Sequence, residues 1–299
     1  MPDESVHCCV TSPPYWGLRD YGVDGQIGLE ASYLDFVSAM VGVFREVRRV
    51  LRKDGTLWLN LGDSYNSGGN PPGEDKTSAS TLGGGKATQA NSRRTWTDDL
   101  KPKDLVGIPW RVALALQADG WWLRQDIIWS KPNPMPESVT DRCTKAHEYI
   151  FLLSKSERYY YDQEAIAEPA SVNTHSQGNG DGGPKYQSIV RDSGFRTRTG
   201  ILSPSTSRNK RSVWEVGTQP FSEAHFATFP PALIEPCILA GCPKEGTVLD
   251  PFGGAGTTGL VADRLGRNAV LIELNPEYAA MAERRIKNDA GMFAAVTTD

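Results

Sequence analysis

Thr11-Ser12-Pro13-Pro14-Tyr15-Trp16 is a turn whose residue types suit one kind of chemistry. Two prolines in succession fix φ and bring no N–H, so the Pro13 carbonyl is left to accept a hydrogen bond from outside the chain. Ser12 Oγ is a second acceptor beside it. Two neighbouring acceptors fit an NH2 group, above all an amine whose lone pair is delocalised into an aromatic ring. Drawing on its two hydrogens pulls the nitrogen toward tetrahedral geometry and frees the lone pair as a nucleophile. Tyr15 adds an aromatic face on which the ring can stack. Nucleobases carry such amines, and a base inside a duplex is reached only by extruding it into a pocket. The same four residues also read as an ordinary proline-rich turn, so a second stretch has to decide.

That stretch is Val248-Leu249-Asp250-Pro251-Phe252-Gly253-Gly254-Ala255-Gly256-Thr257-Thr258, a short apolar strand entering a glycine turn and then a helix. Glycine is required where backbone approaches a ligand closely. A second strand ends at Glu273, about 20 positions on, where an acid accepts hydrogen bonds from ribose hydroxyls. An adenosine ligand is the natural inference. Gly254, Gly256 and Gly259 alone satisfy GxGxxG, which serves a nicotinamide or flavin cofactor equally well. A tight strand-to-helix connection that binds nothing also stays open.

Taken together, the two stretches resemble the S-adenosylmethionine-dependent DNA amino-methyltransferases over most of the chain. Ser12, Pro13, Pro14 and Tyr15 are similar to the family's catalytic motif. Asp250, Phe252, Gly253, Gly254, Gly256 and Thr257 are similar to its methionine-binding motif, and Glu273 to its ribose-binding acid. The resemblance implies direct attack of a flipped base's amine on the methyl of S-adenosylmethionine, leaving S-adenosylhomocysteine, with no metal. It further implies that His225 to Pro230 completes the cofactor pocket, with Phe229 near the methionine moiety. The catalytic motif comes first and the cofactor loop last, which resembles the circularly permuted beta group. Serine before Pro-Pro is commonest in the family's N4-cytosine enzymes, and Asp or Asn in its N6-adenine enzymes. Site-specific methylation of cytosine N4 is therefore the expected activity, with adenine N6 as the alternative. Family members carry a further strand and helix ahead of a segment like Pro2-Asp3-Glu4-Ser5-Val6, where this sequence opens, so the adenine side of the pocket is expected to be incomplete. On that account a non-catalytic DNA-binding relative stays open.

The elements that must position these loops are legible in outline. Glu4 to Val10 reads as a turn entering a strand. Residues 33–52 place Leu34, Val37, Met40, Val41, Phe44, Val47, Val50 and Leu51 at helical spacing. Lys53-Asp54-Gly55 reads as a turn, and Thr56 to Leu61 as a strand. A helix over Leu105 to Ala118 and strands over Trp122 to Trp129 and Glu148 to Leu153 come next. The last third gives a helix near Pro231 to Ala240, strand Thr247 to Leu249, helix Thr257 to Leu265, strand Asn268 to Ile272 and helix Pro276 to Asp289. Alternating strands and helices predict an α/β chain with a Rossmann-like methyltransferase fold: a mainly parallel open sheet, helices on both faces and loop-rich insertions. Residues 1–170 form the amino-methyl-transfer part, with a mobile loop at 64–104. Residues 171–212 form a target-recognition insertion, and 213–299 the S-adenosylmethionine-binding part.

At 299 residues and 39% hydrophobic content the chain can bury a large core. Its apolar runs fall far short of the roughly 20 residues that span a bilayer, and its start lacks a signal-peptide pattern, so a soluble cytoplasmic protein is expected. Its five cysteines show no CxxC pair, which favours free thiols. The net charge is −4, but charge is segregated. Between Ser171 and Ser212, Lys185, Arg191, Arg196, Arg198, Arg208, Lys210 and Arg211 face only Asp181 and Asp192. Such a segment can neutralise DNA phosphates, and its arginines can read guanine edges. Double-stranded DNA is thus the expected partner; a second copy of the chain and a cognate restriction endonuclease are the protein partners open to it. The tryptophans, Trp110, Trp121, Trp122 and Trp129 among them, are expected in the core. Two further readings compete. A nicotinamide oxidoreductase leaves Ser12 to Trp16 and the basic segment unexplained, and a C5-cytosine enzyme needs its nucleophile at Cys237, inside an expected helix.

Overall fold

The computed structural model describes residues 1–66, 97, 99–170, 207–219, 228–290 and 295–298. Two compact units emerge, Met1–Asp162 with Arg211–Asp299, and Gln163–Lys210. In the larger unit the elements are β1 (Val6–Thr11), α1 (Tyr33–Val50), β2 (Leu51–Leu61), α2 (Ile108–Ala118), β3 (Trp122–Ser130) and β4 (His147–Ser154). After the smaller unit, whose strands are β5 (Glu168–Pro169) and β6 (Ser207–Arg208), come β7 (Val213–Glu215), α3 (Pro231–Gly241), β8 (Thr247–Asp250), α4 (Thr257–Arg264), β9 (Asn268–Leu271) and α5 (Pro276–Ala290).

Seven strands form one sheet in the order β7-β3-β4-β2-β1-β8-β9. β1 runs parallel to β2 and β8, β8 to β9, and β3 to β7, while β4 is antiparallel to both its neighbours. This is the mainly parallel open sheet that the alternating elements predict. β1 is central, and its side chains are buried on both faces. On one face Cys9, Leu57 and Leu59 join α1 and α2 in the main core, through Phe36, Met40, Phe44, Val112 and Leu116. On the other face Cys8, Thr56 and Trp58 receive α3 so closely that a Cβ on Gly241 would lie 2.6 Å from Trp58 Nε1 and 2.8 Å from Cys8 Sγ. Helices therefore cover both faces.

Local chemistry explains the element ends. Ser32 caps α1, its hydroxyl accepting from the Asp35 N–H at 3.1 Å. The buried line of α1 is Tyr33, Phe36, Met40, Phe44, Val47 and Val50. Leu34, expected inside, is 55% exposed because Tyr33 and Phe36 take the inner positions of the first turn. The expected turn at 53–55 is an irregularity within β2: pairing with β1 jumps from Val6–Leu51 to Cys8–Thr56. α2 starts at Ile108, later than expected, since Gly107 sits at φ 77° and Pro109 occupies the first turn. Trp121 and Trp129 are buried as expected, but Trp110 and Trp122 are 38% and 45% exposed. Trp110 uses only part of its ring, edge-on to Phe151 at 5.1 Å.

Of the expected loop at 64–104, residues 67–96 and 98 lie outside the described residues, and its two ends are tied together. Tyr65 bridges Leu105, and the Asn66 side-chain amide donates to the Thr97 and Leu100 carbonyls at 3.1 and 2.7 Å while accepting from the Thr97 N–H. Of the expected insertion at 171–212, residues 171–206 lie outside the described residues. In the smaller unit β5 pairs antiparallel with β6, and Glu168 meets Arg208 at 3.4 Å and Lys210 at 3.9 Å. Among the described residues no helix is long and apolar enough to cross a membrane.

Candidate active site

Because β1, β2, β3, β8 and β9 point the same way, their carboxyl ends share one edge of the sheet. In an open α/β sheet that edge, beside the strand where the winding changes direction, is where ligands bind. Ser12 follows β1, Asp63 follows β2, Lys131 follows β3, Phe252 to Gly254 follow β8, and Glu273 follows β9. Antiparallel β4 brings its amino end, with Glu148, to the same edge.

The two sequence motifs are joined by Asp250. Its carboxylate accepts from Thr11 Oγ1 at 2.6 Å, from Thr258 Oγ1 at 2.6 Å and from the Phe252 N–H at 3.0 Å. Thr11 directly precedes Ser12, so the end of β1 and the glycine turn are held by one group. Asp250 is only 1% exposed, with both oxygens engaged by the protein. It shapes the loop and presents no oxygen to a ligand. Burial raises its pKa to about 6, against the three hydrogen bonds, and the nearby Glu273 charge adds to the rise.

Glu273 accepts from the Gly254 N–H at 2.7 Å and from the Asn275 N–H at 2.8 Å. A carboxylate has about four acceptor sites, so this half-buried group keeps capacity for hydroxyl donors. Gly253 donates its N–H to the Ile272 carbonyl at 2.8 Å, which zips the turn to the end of β9. A Cβ on Gly256 would lie 2.7 Å from Ala282 Cβ, and one on Gly259 2.8 Å from Ile286 Cδ1. Two glycines of the GxGxxG pattern thus serve packing against α5. Thr257 is buried, and its hydroxyl accepts from Arg285, whose guanidinium also holds the Ala255 carbonyl. Phe229 is half-buried just ahead of α3; His225 to Ala227 lie outside the described residues.

On the other side of β1 lies a polar cluster that local sequence reading misses. Tyr15 rests on Gly62, where a Cβ would fall 2.8 Å from the Tyr15 Cδ2 atom. Its hydroxyl donates to Glu148 Oε2 at 2.7 Å, with Asn60 Oδ1 at 3.3 Å. Asn60 Nδ2 donates to Glu148 Oε2 and to the Tyr149 carbonyl. Lys131 pairs with Glu148 Oε1, with its ammonium over the Trp129 ring. Burial and then the Glu148 carboxylate hold the Tyr15 phenol well above the ordinary tyrosine range, so it stays a neutral donor. Asp63 accepts from the Gly107 and Ile108 N–H groups and so caps α2, while its carbonyl accepts from Lys145 Nζ. Burial, helped by Lys131, lowers the Lys145 pKa against the pull of Asp63, Glu148 and Glu137. The only sequence signal for this cluster was a set of charged residues at strand ends.

Of the residues expected to meet DNA, Arg191, Arg196 and Arg198 lie outside the described residues. Arg208 and Lys210 belong to the smaller unit and face Glu168. Arg211 opens the next segment of the larger unit, its carbonyl accepting from Trp214 Nε1. Cys237 is fully buried within α3, with its thiol on the Leu233 carbonyl, and cannot be an exposed nucleophile.

Comparison with known proteins bears directly on this edge. A family model described as DNA methylase matches residues 6–284. The Type II methyltransferase M.SmaI of Serratia marcescens is 49% identical over 286 residues, covering 96% of this chain and 86% of its own. M.Cfr9I of Citrobacter freundii is 48% identical over 291 residues, covering 97% and 84%. Among solved structures, the PvuII DNA methyltransferase (cytosine-N4-specific) aligns with a TM-score of 0.62 at 18% identity, over 99% of this chain and 83% of that one. TTHA0409 of Thermus thermophilus, a putative DNA modification methylase solved with S-adenosyl-L-methionine, gives 0.60 at 23% identity, over 100% and 94%. Those two structures share the fold seen here. With a family model matched over nearly its whole length and Type II methyltransferases sharing almost half its residues, the chain belongs to the DNA methylase family, and is a DNA amino-methyltransferase rather than an oxidoreductase or a C5-cytosine enzyme.

Proposed function

We propose that this enzyme methylates cytosine N4 at a specific site in double-stranded DNA, using S-adenosylmethionine. The observation that carries the reading is the shared anchorage of the two loops: Thr11, next to Ser12, and Phe252, in the glycine turn, both donate to Asp250. Ser12 Oγ and the Pro13 carbonyl take the hydrogens of the flipped base's amine and localise its lone pair, and Tyr15 supports the ring. Glu273, with acceptor capacity left, holds the ribose hydroxyls, while Phe252, Gly253, Gly254 and Phe229 hold the methionine end. When bound, the cofactor supplies an electrophilic methyl group on sulfur. Serine at position 12 favours cytosine over adenine, and a relative in fold bears the description cytosine-N4-specific. The Type II names of its relatives support a cognate restriction endonuclease as functional partner and the cytoplasm as the place of work. Pairing with a second copy of the chain stays open and is a matter for sedimentation velocity.

The test is to incubate the protein with mixed-sequence DNA and labelled S-adenosylmethionine, digest to nucleosides and identify the product by mass spectrometry. N4-methylcytosine is expected. N6-methyladenine would overturn the base assignment while keeping the amine chemistry, and no methylated nucleoside would overturn the substrate.

A further inference from the structure

Gly62 follows directly on β2, and its backbone has no need of glycine, since its φ lies outside the left-handed region. What glycine provides there is room for Tyr15. A Cβ at this position would lie 2.8 Å from Cδ2 and 3.0 Å from Cζ of the Tyr15 ring, and closer still to Cε2. Gly62 cannot back away from that contact. Leu61, one residue before, is fully buried and in register with Tyr149 of β4, and Asp63, one residue after, is tied to the Gly107 and Ile108 N–H groups. Tyr15 is held at its far end as well. Its hydroxyl donates to Glu148 Oε2 at 2.7 Å, and Lys131 occupies the other carboxylate oxygen in a pair whose side chains are only 18% and 15% exposed. Asn60 Nδ2 braces the same Oε2 at 3.3 Å while donating to the Tyr149 carbonyl at 3.1 Å. The ring is thus fixed at two points, one corner against backbone and the hydroxyl on an ion pair, while Tyr15 as a whole stays half-buried. With the hydroxyl proton spent on Glu148, the part of Tyr15 left for a ligand is its ring.

We propose that Gly62 and Glu148 are positioning residues for methyl transfer: between them they set the tilt of the Tyr15 ring, and so the place at which a stacked base presents its amine to Ser12 and Pro13. The inference rests on the reading of Tyr15 as the support of the flipped base. Its physical point is that stacking alone fixes the plane of a base poorly unless the platform is itself fixed. An amine displaced by about 1 Å from its line of attack on the methyl group loses on the order of 100-fold in rate.

Gly62→Ala pushes the ring off its seat, Tyr15→Phe keeps the ring and removes its pin, and Glu148→Gln weakens the pin by taking away the charge. Single-turnover methyl transfer is measured at saturating S-adenosylmethionine and DNA for these variants, for Tyr15→Ala and for the pairs Gly62→Ala with Tyr15→Ala and Glu148→Gln with Tyr15→Phe. Cofactor affinity is taken from calorimetry alongside. Gly62→Ala is expected to slow transfer by roughly 10- to 100-fold, and Tyr15→Phe and Glu148→Gln each by roughly tenfold, with cofactor affinity unchanged. Gly62→Ala should add less than about twofold once Tyr15 is alanine, because no ring is left to displace, and Glu148→Gln should add as little to Tyr15→Phe. Full-rate transfer by Gly62→Ala, or slowing that multiplies with that of Tyr15→Ala, would overturn the proposal. If Gly62→Ala does not fold, the pair of Glu148→Gln with Tyr15→Phe decides by the same rule. A full-rate Tyr15→Ala enzyme instead removes the reading of Tyr15 as the base's support, and the proposal with it.

Discussion

Asp250 ties the Ser12-Pro13-Pro14 turn to the glycine turn, and it does so as a buried carboxylate. Three donors favour its charged form, yet loss of water outweighs them and its pKa stands at about 6 where an ordinary aspartate has 3.8. The sign of the consequence comes from proton counting. Between those two values the folded protein binds a proton that the unfolded chain has released, so the stability owed to this group is complete below about pH 4 and is lost as the pH rises through about 6. Asp250→Asn removes the titration while keeping the shape. Its oxygen still accepts from Thr11 and Phe252, and the Thr258 proton turns to the Val10 carbonyl, already 3.4 Å away. Urea unfolding at pH 7, 6 and 5 should show the natural protein gaining about 1.4 kcal/mol relative to Asp250→Asn between pH 7 and pH 5. Parallel profiles for the two proteins would mean that Asp250 ionises normally inside the fold.

Packing of the glycine turn on α5 belongs to the scale of elements, and two glycines separate its parts. Gly256 and Gly266 have nearly the same positive φ, 75° and 69°, but a Cβ on Gly256 would strike Ala282 whereas one on Gly266 meets nothing within 4 Å. Gly266→Ala should cost only the left-handed strain, about 1–2 kcal/mol. Gly256→Ala should cost about 1–3 kcal/mol more and weaken cofactor binding, because the turn must lift off α5. Thermal melts and calorimetry check this, and equal losses would show that the contact with α5 yields freely. The same contrast explains how much could be read in advance. Each of the two turns of the site is a contiguous stretch at the end of one strand, so its residues are legible in order. α1 was legible from its spacing, but which of Tyr33 and Leu34 turns inward depends on where Ser32 starts the helix. Asn60, Lys131 and Glu148 come from three strands and meet only because β4 runs antiparallel between β2 and β3. No local signal states a strand's direction, so that part of the site stayed hidden.

At the scale of the molecule the problem is how a chain of net charge −4 holds a polyanion. Affinity for DNA depends on where cations gather, since each phosphate neutralised releases counterions and steepens the fall of binding with salt by about 0.9 in a log–log plot. The segment 171–212 concentrates the cations, but not all of them are equally available. Arg208 and Lys210 stand 3.4 and 3.9 Å from Glu168, which already balances one positive charge. Arg196 and Arg198 are adjacent but for one residue, in a stretch whose nearest acid is Asp192. Replacing Arg196 and Arg198 by alanine should therefore flatten the salt slope of DNA binding by roughly 2, while the same double change at Arg208 and Lys210 should flatten it less. Fluorescence anisotropy over a range of salt concentrations measures both. An unaltered slope in the Arg196 and Arg198 variant would take phosphate binding away from this segment, and equal flattening by both variants would mean that Glu168 gives up its partners when DNA arrives.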